Sequence, residues 1–102
     1  MKIATVSLNQ IWEDKKANMD LCEKFIRESS NKSVDVVIFP EMTLTGFSPS
    51  NALLIENIYN SHTLEWFGKL SKLYNINIVF GACLKEKGKS LPFNMLCIAD
   101  KY

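Results

Sequence analysis

The stretch VDVVIFPEMTLTGF, residues 34–47, decides how this chain is read. Val34, Val36, Val37, Ile38 and Phe39 form a nearly uninterrupted β-branched and aromatic run, the composition of a strand with both sheet faces covered. Phe39 precedes Pro40 and is therefore held extended, and Glu41 follows at once. A carboxylate at the end of an apolar strand is expected to lose part of its water, which disfavours its charged form. Such a group is a candidate general base. It is equally a candidate structural acid that caps or pairs with the loop behind it.

Outward from this strand, the pattern alternates between strand and helix. Ile3, Ala4, Val6 and Leu8 predict a first strand that ends near Asn9 and Gln10. Asp14 is a plausible cap for a helix over residues 15–30, where Asn18, Leu21, Cys22, Phe25 and Ile26 share one face and Ser29, Ser30 and Asn31 bring the end. After Glu41, residues 42–51 read as a loop with Gly46 and Pro49 marking turns. A short helix is expected over 52–59. A firmer one follows over 63–74, with Leu64, Phe67, Leu70 and Leu73 as its apolar stripe and Trp66 and Tyr74 widening it. Residues 76–83 and 93–99 then predict two strands joined through the charged turn at 85–89, a hairpin. The order β-α-β-loop-α-β-β points to a parallel-rich α/β sheet with an antiparallel addition. In such sheets sites gather at the carboxyl ends of strands, where Glu41 stands.

Composition narrows the function classes. The chain has 102 residues, 47% hydrophobic and 23% charged, enough for one modest core. Its net charge of +1, with lysines and acids interspersed, gives no electrostatic case for nucleic acid or an anionic membrane. Lys85, Lys87 and Lys89, broken by Glu86 and Gly88, read as a solvated turn. Cys22, Cys83 and Cys97 are odd in number and widely spaced, and His62 is alone, so neither a disulfide framework nor a metal site is indicated and no cofactor is expected. The N-terminus MKIATVSLNQIW is too short in apolar content for a signal peptide or a membrane span, which predicts a cytoplasmic protein.

The segment FPEMTLTGF closely resembles the motif around the catalytic glutamate of the nitrilase superfamily, the carbon–nitrogen hydrolases that include amidases and nitrilases. The resemblance extends to the N-terminal strand, Asn18, the strand VDVVIFP, Gly46 after Leu44 and Thr45, the stretch INIVFGACLKEKG and Asn94, all in the family's order. Ser7 departs from it, standing where many relatives have glutamine. The resemblance implies an α/β fold, the N-terminal part of a nitrilase-like four-layer αββα sandwich. It also implies a single partial domain over residues 1–102 that lacks the downstream half.

In the family a cysteine thiolate attacks an amide carbonyl or nitrile carbon, a glutamate handles protons and a lysine stabilises the developing negative charge. A thiol gains from a nearby base and an oxyanion from a fixed positive donor, which is why the chemistry needs this set. Glu41 matches the general base. Glu86, five residues after Gly81, is similar to a second glutamate that orients the site in many members; its bland alternative is a solvated acid in a lysine-rich turn. No motif for the lysine or the nucleophile is matched: Lys101 comes too early, and Cys83 and Cys97 lie within apolar strands and read as small hydrophobes. The isolated chain is therefore expected to be inactive on small amide or nitrile substrates, and to associate with itself or a complementing chain through uncovered sheet surface. The competing reading is a non-catalytic interaction or ligand-binding module in which Glu41 is structural.

Overall fold

The computed structural model describes residues 1–48, 51–89 and 91–102. In chain order the elements are β1 (Ile3–Thr5), α1 (Lys15–Asn31), β2 (Val36–Ile38), a 3-10 turn (Ala52–Leu54), β3 (Glu56–Asn57), α2 (His62–Leu73), β4 (Asn77–Lys85) and β5 (Phe93–Ala99). The Asp14 carboxylate accepts from the Ala17 amide at 3.0 Å and starts α1, a cap worth about 1 kcal/mol. Ser61 does the same for α2 through the Leu64 amide at 3.1 Å. α1 ends within the run of serines and asparagine at 29–31 as the sequence suggested, its last residue being Asn31. Ser29 is buried, the Ser30 hydroxyl donates to the Tyr74 carbonyl at 2.7 Å, and Ser33 turns the chain at φ 57°.

All five strands form one sheet. β1, β2 and β4 run parallel, with Ala4, Val37 and Ile78 in register, and β5 returns antiparallel along the other edge of β4 with Phe80 opposite Cys97. Three expectations change here. β1 ends at Thr5 rather than Leu8, although the Val6 amide still reaches the Ile38 carbonyl at 2.9 Å. Residues 52–59 are not a helix: after the 3-10 turn, Glu56 and Asn57 pair in parallel with Leu84 and Lys85, so tertiary pairing overrides local preference. Leu73, expected on the buried stripe of α2, is 71% exposed, because a three-residue spacing drifts around a helix of about 3.6 residues per turn and carries Leu73 to the side opposite Leu64. Of the loop at 42–51, Pro49 and Ser50 lie outside the described residues.

One core holds the layers together. Cys22 and Ile26 of α1 and Phe67 and Leu70 of α2 pack with Val37, Ile78, Phe80, Ala82 and Leu84, which alternate along the strands and so share one face. At its centre Phe67 stacks on Phe80 with centroids 4.0 Å apart and sits 6.2 Å from Phe39, the residue that leads into Pro40 and Glu41. Both helices thus cover the same face. The other face, carrying Ile3, Val36, Ile38, Val79, Leu96 and Ile98, has no helix on it among the described residues.

Candidate active site

Beyond β2 the chain stays on the edge of β4 but stops making a regular ladder. The Phe39 amide donates to the Val79 carbonyl at 2.8 Å, and the next regular backbone bond comes from the Thr43 amide to the Gly81 carbonyl at 3.1 Å. Between them Pro40, Glu41 and Met42 bulge outward as a tight turn. Met42 takes φ 44°, a left-handed conformation that costs a non-glycine residue roughly 1–2 kcal/mol and persists only where its surroundings fix it.

Four groups fix it. The Thr43 hydroxyl donates back to the Pro40 carbonyl at 2.7 Å and accepts from the Gly81 amide at 2.9 Å, filling the ladder position that the bulge vacates. The Gln10 side-chain amide is shared among the carbonyls of Glu41, Met42 and Thr43 at 3.1, 2.8 and 3.2 Å. Asn18, fully buried, donates to the carbonyls of Leu44 and Ile11 at 2.7 Å each and accepts from the Ile11 amide. Gly81 leaves the necessary room: a Cβ there would lie 2.6 Å from the Met42 nitrogen and 2.9 Å from the Glu41 Cα. Gly46, at φ 70°, closes the segment where the sequence placed a turn.

Glu41 is carried outward by this frame and lines a hollow of about 180 Å3 with Pro40, Val79, Gly81, Asn94 and Leu96. It is exposed rather than partly buried as its position in the sequence suggested. Among the described residues its carboxylate makes no hydrogen bond or ion pair. Asn94, matched by resemblance alone, stands in the same hollow, at the start of β5.

The other acids contrast with it. Glu86 accepts from the Tyr59 hydroxyl at 3.2 Å, which pushes the phenol's pKa up, and lines a neighbouring apolar hollow of about 330 Å3 with Ile58, Leu84 and Phe93 that shares Asn94 and Met95 with the Glu41 hollow. Glu41 and Glu86 thus line adjoining hollows that meet at Asn94 and Met95. Glu56, which the sequence did not single out, is the most heavily engaged carboxylate. Burial pushes its pKa up, but this is outweighed by Lys15 and Ser61 at 2.5 Å each and by the Thr63 hydroxyl and amide at 2.6 and 2.9 Å. The net result is a fall from 4.5 to about 2. It ties α1, β3 and α2 together.

The cysteines are not poised for attack. Burial raises Cys22 to about 12 and also raises Cys97 and Cys83, the last opposed in part by Lys15. All three therefore favour the protonated thiol, in keeping with their place in apolar strands and helix. His62 is the exposed first residue of α2, and among the described residues no three of His, Cys, Asp and Glu gather as metal ligands.

The chain resembles known proteins in sequence and in fold. The chain is 30% identical over 84 residues to 2-oxoglutaramate amidase of Bacillus subtilis (strain 168), matching 82% of this chain and 32% of that protein. Its fold superposes with TM-score 0.84 on a CN-hydrolase superfamily protein of Xanthomonas campestris at 23% identity, over 97% of this chain and 36% of the other. The same score is reached with Nit3 of Saccharomyces cerevisiae, a nitrilase superfamily member, at 19% identity over 99% and 40% of the two chains. This chain spans about a third of the length of the curated relative. The carbon-nitrogen hydrolase family profile matches residues 2–102, essentially every residue from which the strands, helices and Glu41 turn are built, and the chain belongs to that family.

Proposed function

We propose that this chain supplies the glutamate-bearing portion of a hydrolase acting on non-peptide carbon–nitrogen bonds, with Glu41 as general base. One observation carries the reading: the groups around the turn at 41–43 bind its backbone and the Thr43 hydroxyl, and none of the described residues binds the Glu41 carboxylate. A structural acid in this fold looks like Glu56, saturated with donors. Glu41 is instead held at a fixed place with its oxygens free, as proton transfer requires.

In the proposed reaction Glu41 takes the proton of a cysteine thiol as the sulfur attacks the amide carbon, and a lysine holds the negative oxygen that forms. Glu41 then returns the proton to the leaving nitrogen, the carbon–nitrogen bond breaks and ammonia departs. Water, deprotonated by Glu41, displaces the sulfur and yields the acid. For a nitrile the same thiol adds to the carbon of the triple bond. The lysine and the thiol would come from sequence downstream or from a complementing chain, since none of Cys22, Cys83 and Cys97 lines the hollow that Glu41 faces. The name of the Bacillus subtilis relative makes an amide the first substrate to try. Glu86 is assigned a lesser role, orienting groups at the margin of the site; its bond from Tyr59 supports a place away from bond cleavage.

The coding sequence beyond residue 102 and that of co-expressed partners tests this reading. An in-frame or partner-borne lysine and cysteine are expected, and absence of both would remove the hydrolase assignment.

A further inference from the structure

We propose that Gln10 is a positioning residue for the proposed hydrolysis: its carboxamide, anchored from α1, sets where Glu41 projects. The inference rests on Glu41 as general base and adds the residue that aims it. The sheet ladder does not hold Glu41. Its bonds on either side come from the Phe39 and Thr43 amides, at 2.8 and 3.1 Å. Between them Pro40 has no N–H to give, and among the described residues the Glu41 and Met42 amides donate to no carbonyl. The Glu41 carbonyl accepts from the Gln10 Nε2 at 3.1 Å, and among the described residues this is the one hydrogen bond that the Glu41 backbone makes. Close packing on Gly81 stops the turn from moving toward β4, but contact of that kind does not stop it from swinging away.

Gln10 is suited to the task by what holds it in turn. Its Nε2 faces the carbonyls of Glu41, Met42 and Thr43 at 3.1, 2.8 and 3.2 Å, and a group surrounded by acceptors alone must present its N–H end to them. The neighbouring Ile11 is gripped on both sides of its peptide: its amide donates to the Asn18 Oδ1 at 2.8 Å and its carbonyl accepts from the Asn18 Nδ2 at 2.7 Å. Asn18 is fully buried in the first turn of α1, behind the Asp14 cap. Two further bonds tie the same stretch to the far end of the loop. The Glu13 amide donates to the Thr45 carbonyl at 2.8 Å, and the Trp12 indole N–H donates to the Phe47 carbonyl at 3.0 Å. Residues 10–13 thus form a strap that carries the position of α1 to the turn, with Gln10 as its contact on Glu41. Without that contact the backbone torsions around Glu41 are released. A displacement of about 1 Å at a reacting group costs on the order of 10²-fold in rate. Gln10 does not itself line the hollow beside Glu41, so its loss acts on turnover and not on substrate binding.

Ammonia release from a simple primary amide tests it, in the protein where this chain is joined by lysine- and cysteine-bearing sequence. Gln10→Met, Glu41→Gln and Ser30→Ala are compared. Methionine matches glutamine in length and has no N–H to donate. Gln10→Met should lower kcat by about 10- to 100-fold and leave KM within about twofold. Ser30→Ala removes a bond to the Tyr74 carbonyl at 2.7 Å, away from the turn, and should leave both constants unchanged. A kcat for Gln10→Met no lower than that of Ser30→Ala, or a rise in KM in place of the fall in kcat, would overturn the positioning role; with Glu41→Gln inactive, the general-base reading would still stand. An active Glu41→Gln would overturn both. If Gln10→Met does not fold, the carboxamide protons of Gln10 in the unsubstituted 102-residue chain decide. Slow exchange with solvent and hydrogen-bond couplings to the carbonyls of residues 41–43 are expected. Exchange as fast as that of the exposed Asn94 carboxamide would overturn the inference.

Discussion

The Thr43 hydroxyl stands between two strands as a substitute peptide group: it accepts from the Gly81 amide at 2.9 Å and donates to the Pro40 carbonyl at 2.7 Å. The bulge that projects Glu41 is possible because this one side chain satisfies both backbone groups that the bulge would otherwise leave unmade. Thr43→Val keeps the shape and removes the oxygen. It should cost about 1–3 kcal/mol in urea unfolding, with the Gly81 and Thr43 amides losing protection from hydrogen exchange ahead of the rest of the sheet.

Gly81 makes the complementary point through space. A methyl group there meets the Met42 nitrogen at 2.6 Å, backbone that cannot rotate aside, so Gly81→Ala should destabilise by about 1–3 kcal/mol or force the turn away from β4. Gly68 in α2 has nothing within 4 Å of the same added atom, and Gly68→Ala should stabilise by about 0.5–1 kcal/mol. Thermal melts of the two variants should therefore move in opposite directions. Equal shifts would contradict the steric account of the turn.

Glu56 sets an acid limit on the fold. Its carboxyl lies at about 2 in the folded chain against an ordinary 4.5, so the folded state binds the proton less readily than the unfolded one. Its contribution to stability is complete above pH 4.5 and is lost as pH falls through about 2. Glu56→Gln should lower stability at neutral pH by about 1–3 kcal/mol and flatten the fall in acid. A variant with an unchanged acid transition would show that other carboxylates carry it.

Much of this was legible in the sequence, for reasons that can be named. The 3.6-residue spacing of Asn18, Cys22 and Ile26 and the Asp14 cap marked α1, and the apolar runs separated by Gly88 marked the β4–β5 hairpin. Glu41 stood out because a proline and an acid directly after a β-branched run have no packing reason to be there. Other features depend on partners far away in the chain. β3 is two residues long and exists only because Leu84 and Lys85 pair with it, while Glu56 draws on Lys15, 41 residues earlier. Gln10 works through backbone carbonyls, for which no side-chain pattern is required. The exposure of Glu41 was misjudged because strand composition reports that a face is apolar, not what covers it.

The assignment of Glu41 is tested most directly by ammonia release from a simple primary amide. The measurement compares the 102-residue chain alone with the protein in which it is joined by lysine- and cysteine-bearing sequence, each with and without Glu41→Gln. The account predicts no release from the isolated chain, and release from the larger protein that falls by about 10²- to 10⁴-fold in Glu41→Gln. Activity within a few-fold of the unsubstituted protein in Glu41→Gln, or full activity in the isolated chain, would contradict it.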